Sequence, residues 1–192
     1  ITWSSTIERT RPRQLRTAMP QSDALSAYVS GTKAWFPDQV QGWISATQSK
    51  DAEVGDGRVK LVFTVDDSGD ERVVEATLEQ VEKDPNALPP LRNPPLLEAT
   101  DDLTNLSHLN EASVLYTIIN RYSQRSIYTY SGIVLIAVNP FFSLNLYSPE
   151  IIQAYAGRKK GELEPHLFAV AEDAYRCMIR DSRNQTIVVS GE

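Results

Sequence analysis

Two residues at the end of the sequence, Gly191 and Glu192, follow a short run of apolar and β-branched residues, Thr186–Val189. Several phosphate-binding loops begin in this way, with a buried strand that ends on glycine. In such loops backbone N–H groups surround the phosphates, a lysine contacts the β- and γ-phosphates, and a hydroxyl binds Mg²⁺. The pattern predicts a strand at Thr186–Ser190 and the start of a phosphate-binding loop, although a strand followed by Gly-Glu also arises by chance.

A second candidate site is the loop "NPFFSLNLY", which runs from Asn139 and Pro140 to Tyr147. The preceding residues, Ile133–Val138, are continuously apolar, as is typical of a strand covered on both faces of a sheet. Loops at strand ends are where open α/β sheets bind ligands. The residues alone leave a simpler alternative open, in which Asn139 is a turn residue and Tyr147 a packed aromatic side chain.

The rest of the composition argues against several classes of site. The net charge of -6 argues against a general nucleic-acid binder, which would carry a basic excess. Cys177 is the only cysteine and His108 and His166 are the only histidines, so no zinc-ligand spacing exists and a reducing intracellular compartment is favoured. His166 is interpreted as an ordinary helix residue and Cys177 as buried packing. No catalytic residue and no metal ligand is predicted.

The first 30 residues differ in composition from the rest of the chain, being rich in serine, threonine and arginine. Mitochondrial transit peptides have a similar composition. Because residues 1–30 lack apolar periodicity, a flexible solvated segment is the favoured interpretation. No segment of the sequence reaches the roughly 20 apolar residues that a membrane-spanning helix needs.

Residues 31–82 have the pattern of short strands. In "RVKLVFTV" (58–65) apolar residues alternate with more polar ones, which predicts a half-buried strand. The turn sequence "DDSGD" (66–70) joins it to a second strand at 71–76, and further strands are predicted at 33–36 and 42–47. Four or five short strands in about 50 residues predict a small all-β barrel or sandwich.

Residues 83–98 form a proline-rich segment, with five prolines between Pro85 and Pro95. Proline fixes φ and restricts the residue before it, so the segment is predicted to be extended. Two roles remain open for it: a linker that lies along a domain surface, or a ligand for the aromatic groove of another protein.

Residues 99–192 alternate between helical and strand patterns, which is typical of an α/β fold. Asn110 is placed to cap a helix whose apolar residues follow helical spacing up to Tyr122. Two strands are predicted on either side of Ser131-Gly132. A helix with Ser148 as its cap follows, and a longer helix is predicted from Pro165 to Arg180.

Two long stretches resemble the start of a myosin motor domain: "LNEASVLYTIINRYSQRSIYTYSGIVLIAVNPF" and "LYSPEIIQAYAGRKKGELEPHLFAVAEDAYRCMIRDSRNQTIVVSGE". "GTKAWFPDQVQGWISA" resembles the small Src-homology-type β-barrel that precedes the motor core in many myosins. The resemblance covers about residues 31–192, and "GWISA" with the proline-rich junction is similar to class V, the cargo-transporting kind. It implies a mixed fold: a small all-β barrel followed by the incomplete α/β start of a P-loop motor domain.

The resemblance implies specific roles for the candidate residues. Asn139, Pro140 and Tyr147 match the myosin loop around the purine and ribose of ATP, although Phe142 and Ser143 stand where other myosins often have a basic residue. Gly191 and Glu192 match the first two positions of the "GESGAGKT" phosphate loop, so the sequence is expected to end inside that loop. The family also pairs a strand from a distant part of the motor with the strand at 133–138.

By the same resemblance, the intact protein is expected to be an actin-activated ATPase that uses ATP and Mg²⁺. Its expected partners are actin filaments, light chains or calmodulin, and cargo adaptors, all bound by parts beyond Glu192, and its expected location is cytoplasmic and cytoskeletal. The fragment alone is expected to be inactive. The alternative is a non-enzymatic interaction module made of the barrel and the proline-rich segment.

Overall fold

The computed structural model describes residues 23–84 and 86–191. Its first part is a five-stranded antiparallel sheet flanked by two short helices, α1 (Asp23–Ser26) and α2 (Leu78–Lys83). The strands are β1 (Lys33–Asp38), β2 (Gly42–Gln48), β3 (Glu53–Gly55), β4 (Arg58–Val65) and β5 (Glu71–Thr77).

Most of the predicted flexible segment, residues 1–22, lies outside the described residues. Tyr28, at its end, is buried against the barrel and donates a hydrogen bond to the carbonyl of Pro89 at 2.8 Å.

β4 is the central strand of this sheet. It pairs from Arg58 to Thr64 with β5 on one side, and with β2 and β3 on the other. The predicted alternation is confirmed, because Val59, Leu61, Phe63 and Val65 are all buried while their neighbours face outward. The sheet therefore curls around one apolar core into a half-barrel, which confirms the small all-β unit that the sequence predicts.

The turn between β4 and β5 also matches the sequence prediction. Gly69 has a φ of +76°, a conformation that glycine adopts without strain. The carboxylate of Asp66, at the start of the turn, accepts hydrogen bonds from Thr47 at 2.6 Å, Ser45 at 2.8 Å and Lys33 at 3.0 Å. Burial opposes ionisation of Asp66, but these hydrogen bonds outweigh it and hold its pKa below the usual value.

The proline-rich segment lies along the barrel and extends it. Leu91 pairs antiparallel with Ala34 of β1, and two backbone hydrogen bonds flank this pair: Trp35 N–H to the Pro90 carbonyl, and Arg92 N–H to the Lys33 carbonyl. The segment is extended, as predicted. Its backbone between Pro89 and Arg92 is engaged with the barrel, which favours the surface-linker interpretation over a ligand held free for another protein.

Arg92 connects the barrel to the second part of the chain. Its guanidinium carbon lies 4.8 Å from the ring centroids of both Trp35 in β1 and Tyr116, and the group is paired with the buried carboxylate of Glu98. The Trp35 indole N–H also donates to the Ser113 hydroxyl at 3.3 Å. A cation between two aromatic rings and a buried carboxylate is a strong, directional contact.

The second part contains one 3₁₀ turn, a two-stranded hairpin and three helices. In chain order these are the 3₁₀ turn (Leu103–Asn105), α3 (Glu111–Ser123), β6 (Tyr128–Ser131), β7 (Val134–Ala137), α4 (Pro149–Tyr155) and α5 (Leu167–Asp181). Asn110 caps α3, as predicted, by accepting from the Ser113 N–H at 2.9 Å. Pro149 is the first residue of α4, also as predicted, although the Ser148 side chain makes no capping hydrogen bond.

One strand prediction is wrong, and another is right in position but not in burial. β7 forms where the second strand of the hairpin is predicted, but it is not covered on both faces, since Val134 is 55% exposed. The strand predicted at Thr186–Ser190 does not form, and its residues are exposed. A strand exists only where a neighbour accepts its backbone hydrogen bonds, and among residues 23–84 and 86–191 nothing pairs with this segment.

The buried face of α3 is also shifted from its apolar stripe. Leu115 and Ile119 are 40% and 54% exposed, whereas the face that packs inward carries small and polar residues: Ala112, Ser113, Thr117 and Arg121.

No helix within the described ranges is both long and apolar enough to cross a membrane.

Candidate nucleotide-facing loop

The loop from Asn139 to Tyr147 begins where β7 ends. The last strand-like hydrogen bond is from the Val138 N–H to the Ile127 carbonyl at 3.0 Å. The Asn139 side-chain oxygen then accepts from the Phe141 N–H at 2.9 Å, which forms an Asx turn, and Phe141 takes a φ of +55°. Asn139 is therefore the turn residue that the simpler interpretation proposed.

The start of the loop is fixed to helix α3. The Tyr122 hydroxyl donates a hydrogen bond to the Pro140 carbonyl at 3.2 Å. Phe141 and Phe142, which follow, are 90% and 52% exposed. The turn is anchored by its backbone, and its aromatic side chains are left on the surface.

Tyr147, at the far end of the loop, is anchored through its hydroxyl, which lies 2.8 Å from the hydroxyl of Tyr128 in β6. Its ring lies near His166 and Phe168, with centroid distances of 5.8 and 6.2 Å, yet the residue is 51% exposed. Burial and then the hydrogen bond with Tyr147 raise the pKa of Tyr128 well above its usual value. One edge of the Tyr147 ring is thus fixed while half of the residue stays accessible.

His166 is buried at the centre of an aromatic cluster formed with Tyr128, Tyr147, Tyr155 and Phe168, so its interpretation as an ordinary helix residue is wrong. It is the N-cap of α5, and its Nδ1 accepts from the Phe168 N–H at 3.0 Å. Its Nε2 lies 3.0 Å from the Leu146 carbonyl, and its ring stacks on Tyr155 at 5.0 Å. Burial lowers the pKa of His166, against the opposing effect of the Leu146 hydrogen bond.

Arg121 is another buried group that the sequence did not reveal. Its guanidinium donates to the Tyr128 carbonyl at 3.0 Å and to the Thr129 hydroxyl at 3.1 Å, and it pairs with Glu164 at 3.3 Å. These contacts fix β6, and with it Tyr128, against the end of α3. One local signal of this burial was present in the sequence. Arg121 lies one helical turn after Thr117, on the face of α3 opposite to its apolar stripe.

A cavity of about 400 Å³ adjoins the cluster between the end of α3, β6 and α4. Its walls are mostly apolar and include Ile127, Leu146, Ile151 and Tyr155. Asn139, Pro140 and Tyr147 are not among its lining residues. The predicted loop residues therefore lie outside this cavity, on the surface of the protein.

The structure does not bring all the predicted site residues together. Asn139 and Tyr147 belong to one loop, but each is held by a different element and no hydrogen bond or ring contact joins them. Gly191 is exposed in a segment without secondary structure, and Glu192 lies outside the described residues. Cys177, expected to be buried, is only half-buried.

Comparison with known proteins identifies the class. Residues 100–192 match the profile of the family described as "Myosin head (motor domain)". Since the half-barrel and the segment after it also fit the N-terminal architecture of such motors, the chain carries the N-terminal part of a myosin motor domain.

Individual relatives extend the similarity into the barrel. "Myosin-2" of Saccharomyces uvarum is 57% identical over 164 residues, covering 84% of this chain and 10% of the relative. "Myosin-4" of Saccharomyces cerevisiae is 52% identical, covering 84% and 11%, and "Unconventional myosin-Vc" of Homo sapiens is 43% identical, covering 86% and 9%. The chain spans about a tenth of the length of the curated relatives it matches.

The loop leaves two aromatic side chains accessible. Half-exposed aromatic rings at Phe142 and Tyr147, on an anchored loop, offer flat apolar faces of the kind that purines stack on. Within residues 23–84 and 86–191 there is no group of three or more histidine, cysteine, aspartate or glutamate side chains suited to hold a metal. The accessible rings of the described loop therefore suit a flat aromatic ligand.

Proposed function

We propose that this chain is the beginning of an ATP-hydrolysing, actin-based motor and that the loop 139–147 faces its nucleotide. The observation that carries the proposal is the match of residues 100–192 to the myosin head, within which β7 ends in the anchored turn at Asn139. This continuous similarity favours the motor over the non-enzymatic interaction module.

In this proposal Asn139, Pro140 and Tyr147 contact the purine and ribose, and Gly191 and Glu192 are the first residues of the phosphate-binding loop. The Asx turn and the Tyr122 hydroxyl fix the start of the loop 139–147, and Tyr128 fixes its end. A loop held at both ends presents its side chains without paying a large ordering cost when the ligand binds.

Hydrolysis itself would depend on groups outside the described residues. Bound Mg²⁺ supplies the positive charge that stabilises the phosphoryl group during its transfer to water. The contribution of this chain's own residues is to bind the base and to orient the nucleotide towards the segment after α5. A reading frame that continues beyond Glu192 without a Gly-Lys-[Ser/Thr] sequence would contradict the assignment of the phosphate loop.

The finer assignment is a class V motor, which carries cargo along actin filaments in the cytoplasm. Its support is the 43% identity to a relative named unconventional myosin-Vc, together with the "GWISA" strand and the proline-rich junction. Actin filaments, light chains or calmodulin, and cargo adaptors would be its partners. All of these belong to the proposal for the whole protein.

The proposal is tested by measuring the affinity of the full-length gene product for a fluorescent ATP analogue. Tyr147→Ala should raise the Kd by roughly tenfold or more, since stacking of a base on an aromatic ring contributes about 1–3 kcal/mol. Tyr175→Ala is the matched control, because Tyr175 is a similarly exposed tyrosine on α5. If Tyr147→Ala and Tyr175→Ala bind the ATP analogue with equal affinity, the loop is not part of the nucleotide site.

A further inference from the structure

His166 joins two separate segments through the two nitrogens of one ring. Its Nε2 lies 3.0 Å from the carbonyl oxygen of Leu146, the residue before Tyr147, and its Nδ1 lies 3.0 Å from the backbone nitrogen of Phe168 in α5. A carbonyl can only accept and an N–H can only donate. The ring must therefore be neutral, with its proton on Nε2 and a bare Nδ1.

The ring has little freedom to leave this arrangement. His166 is only 3% exposed, Tyr155 stacks on it, and the rings of Tyr128 and Phe168 approach it at centroid distances of 5.0 and 4.6 Å. Rotation of the imidazole would break both hydrogen bonds inside a packed aromatic cluster. The imidazole therefore joins the first turn of α5 to Leu146 through two hydrogen bonds.

These contacts connect the two halves of the proposed nucleotide site. Leu146 lies beside Tyr147, whereas α5 runs from Leu167 to Asp181 and leads towards Gly191. We propose that His166 is a positioning residue that fixes the base-facing loop relative to the helix before the phosphate loop. The proposal rests on the proposed function, since it assumes that both segments contact one nucleotide.

Two substitutions separate this role from simple support of the fold. Asparagine is a good N-cap, so His166→Asn keeps the cap of α5 but is too short to reach the Leu146 carbonyl. Glutamine can place an amide N–H near the position of Nε2 but is a poor cap, so His166→Gln keeps the link to the loop and weakens the helix start.

The experiment measures both variants in two ways. In the full-length gene product, His166→Asn should raise the Kd for a fluorescent ATP analogue by roughly fivefold, the factor that one net hydrogen bond of about 1 kcal/mol represents, with kcat nearly unchanged. His166→Gln should change the Kd by less than about twofold. In the 192-residue chain the order should reverse, with His166→Gln lowering Tm by about 2–4 °C and His166→Asn by less.

The outcomes distinguish the two proposals. If both variants lose affinity and stability in the same proportion, or if His166→Asn leaves the affinity unchanged, His166 is a structural residue and the positioning role is wrong. A nitrogen NMR spectrum of the chain that shows the proton on Nδ1 would overturn it as well. If the unaltered full-length protein binds no nucleotide, the proposed function fails instead.

Discussion

The hydroxyl groups of Tyr128 and Tyr147 lie 2.8 Å apart, across the junction between β6 and the loop 139–147. Tyr128 is buried and Tyr147 is half-exposed, so a residue of the hairpin holds in place a residue that a ligand can reach. The hairpin is in turn fixed by Arg121, which donates to the Tyr128 carbonyl at 3.0 Å. The position of the loop is therefore determined by its contacts with β6 and α3.

Tyr128→Phe removes this hydrogen bond and keeps the ring. The free energy of unfolding of the chain should fall by about 1 kcal/mol, since the part-buried hydrogen bond between the two hydroxyls is lost. Tm should fall by about 2–4 °C. Tyr147→Phe should have a similar effect, and the double variant should lose little more, because both changes remove the same bond. Fully additive losses would show that the two hydroxyls do not interact.

Arg92 provides a test of the contact between the barrel and α3. Its side chain is 16% exposed and that of its partner Glu98 is 9% exposed. Arg92→Ala should therefore lower the free energy of unfolding in urea by about 3 kcal/mol, because it leaves a nearly buried carboxylate without a partner. Arg92→Lys should retain part of the stability, since lysine keeps the charge but cannot make the two parallel hydrogen bonds.

The matched control is Lys83→Ala, which removes an exposed ion pair with Glu79 of the same helix. That change should cost less than about 0.5 kcal/mol. An effect of Arg92→Ala as small as that of the control would contradict the contact.

The buried neutral state of His166 predicts a specific pH dependence. Its pKa is lowered from 6.5 in the folded chain, so the stability that its neutral form contributes is complete above pH 6.5. That contribution is lost as the pH falls from 6.5 through the folded pKa, because the unfolded chain takes up the proton first. Tyr128 and Tyr155 pack against the ring, and burial raises the pKa of each, so they remain neutral in this range.

The measurement compares the Tm of the chain and of His166→Asn between about pH 7 and pH 5. The unaltered chain should lose more stability than the variant over this interval. The ion pair of Arg121 with Glu164, which lies two residues before His166 in the sequence, is common to both proteins and cancels in the difference. Parallel curves for the two proteins would contradict a neutral, hydrogen-bonded His166.

The division of the chain into domains leads to a proteolysis experiment. We propose that residues 31–82 fold as one unit and that the segment 83–98 is attached to it through the pairing of Leu91 with Ala34. Limited proteolysis should leave a resistant fragment that contains β4 and β5 intact and ends near or after Arg92. Cleavage scattered through Arg58–Ala76 would show that the unit is not separately stable.

The sequence predicted those features that depend on local patterns. The alternation in β4, the Asn110 cap of α3, the glycine turn before β5 and the proline at the start of α4 are each specified within a few residues. In each case the relevant partner lies on the same strand, turn or helix. Such features follow from period and backbone chemistry alone.

The features that the sequence missed depend on distant partners. Arg121 pairs with Glu164, 43 positions away, and the Nε2 of His166 meets Leu146, 20 positions away. No spacing rule indicates such pairs before the fold is known. The wrong prediction of a strand at 186–190 has a related cause, since apolar residues favour a strand but only a paired neighbour forms one.

The most direct test of the central claim is the rate of Mg-ATP hydrolysis by the full-length gene product, measured with and without actin filaments. Hydrolysis that actin accelerates is the expected result. The 192-residue chain should neither hydrolyse ATP nor be stabilised by it. A ligand at a hundred times its Kd would add about 2.7 kcal/mol and shift the melting curve, so the melting temperature would reveal any binding. Absence of hydrolysis by the full-length protein under both conditions would contradict the account.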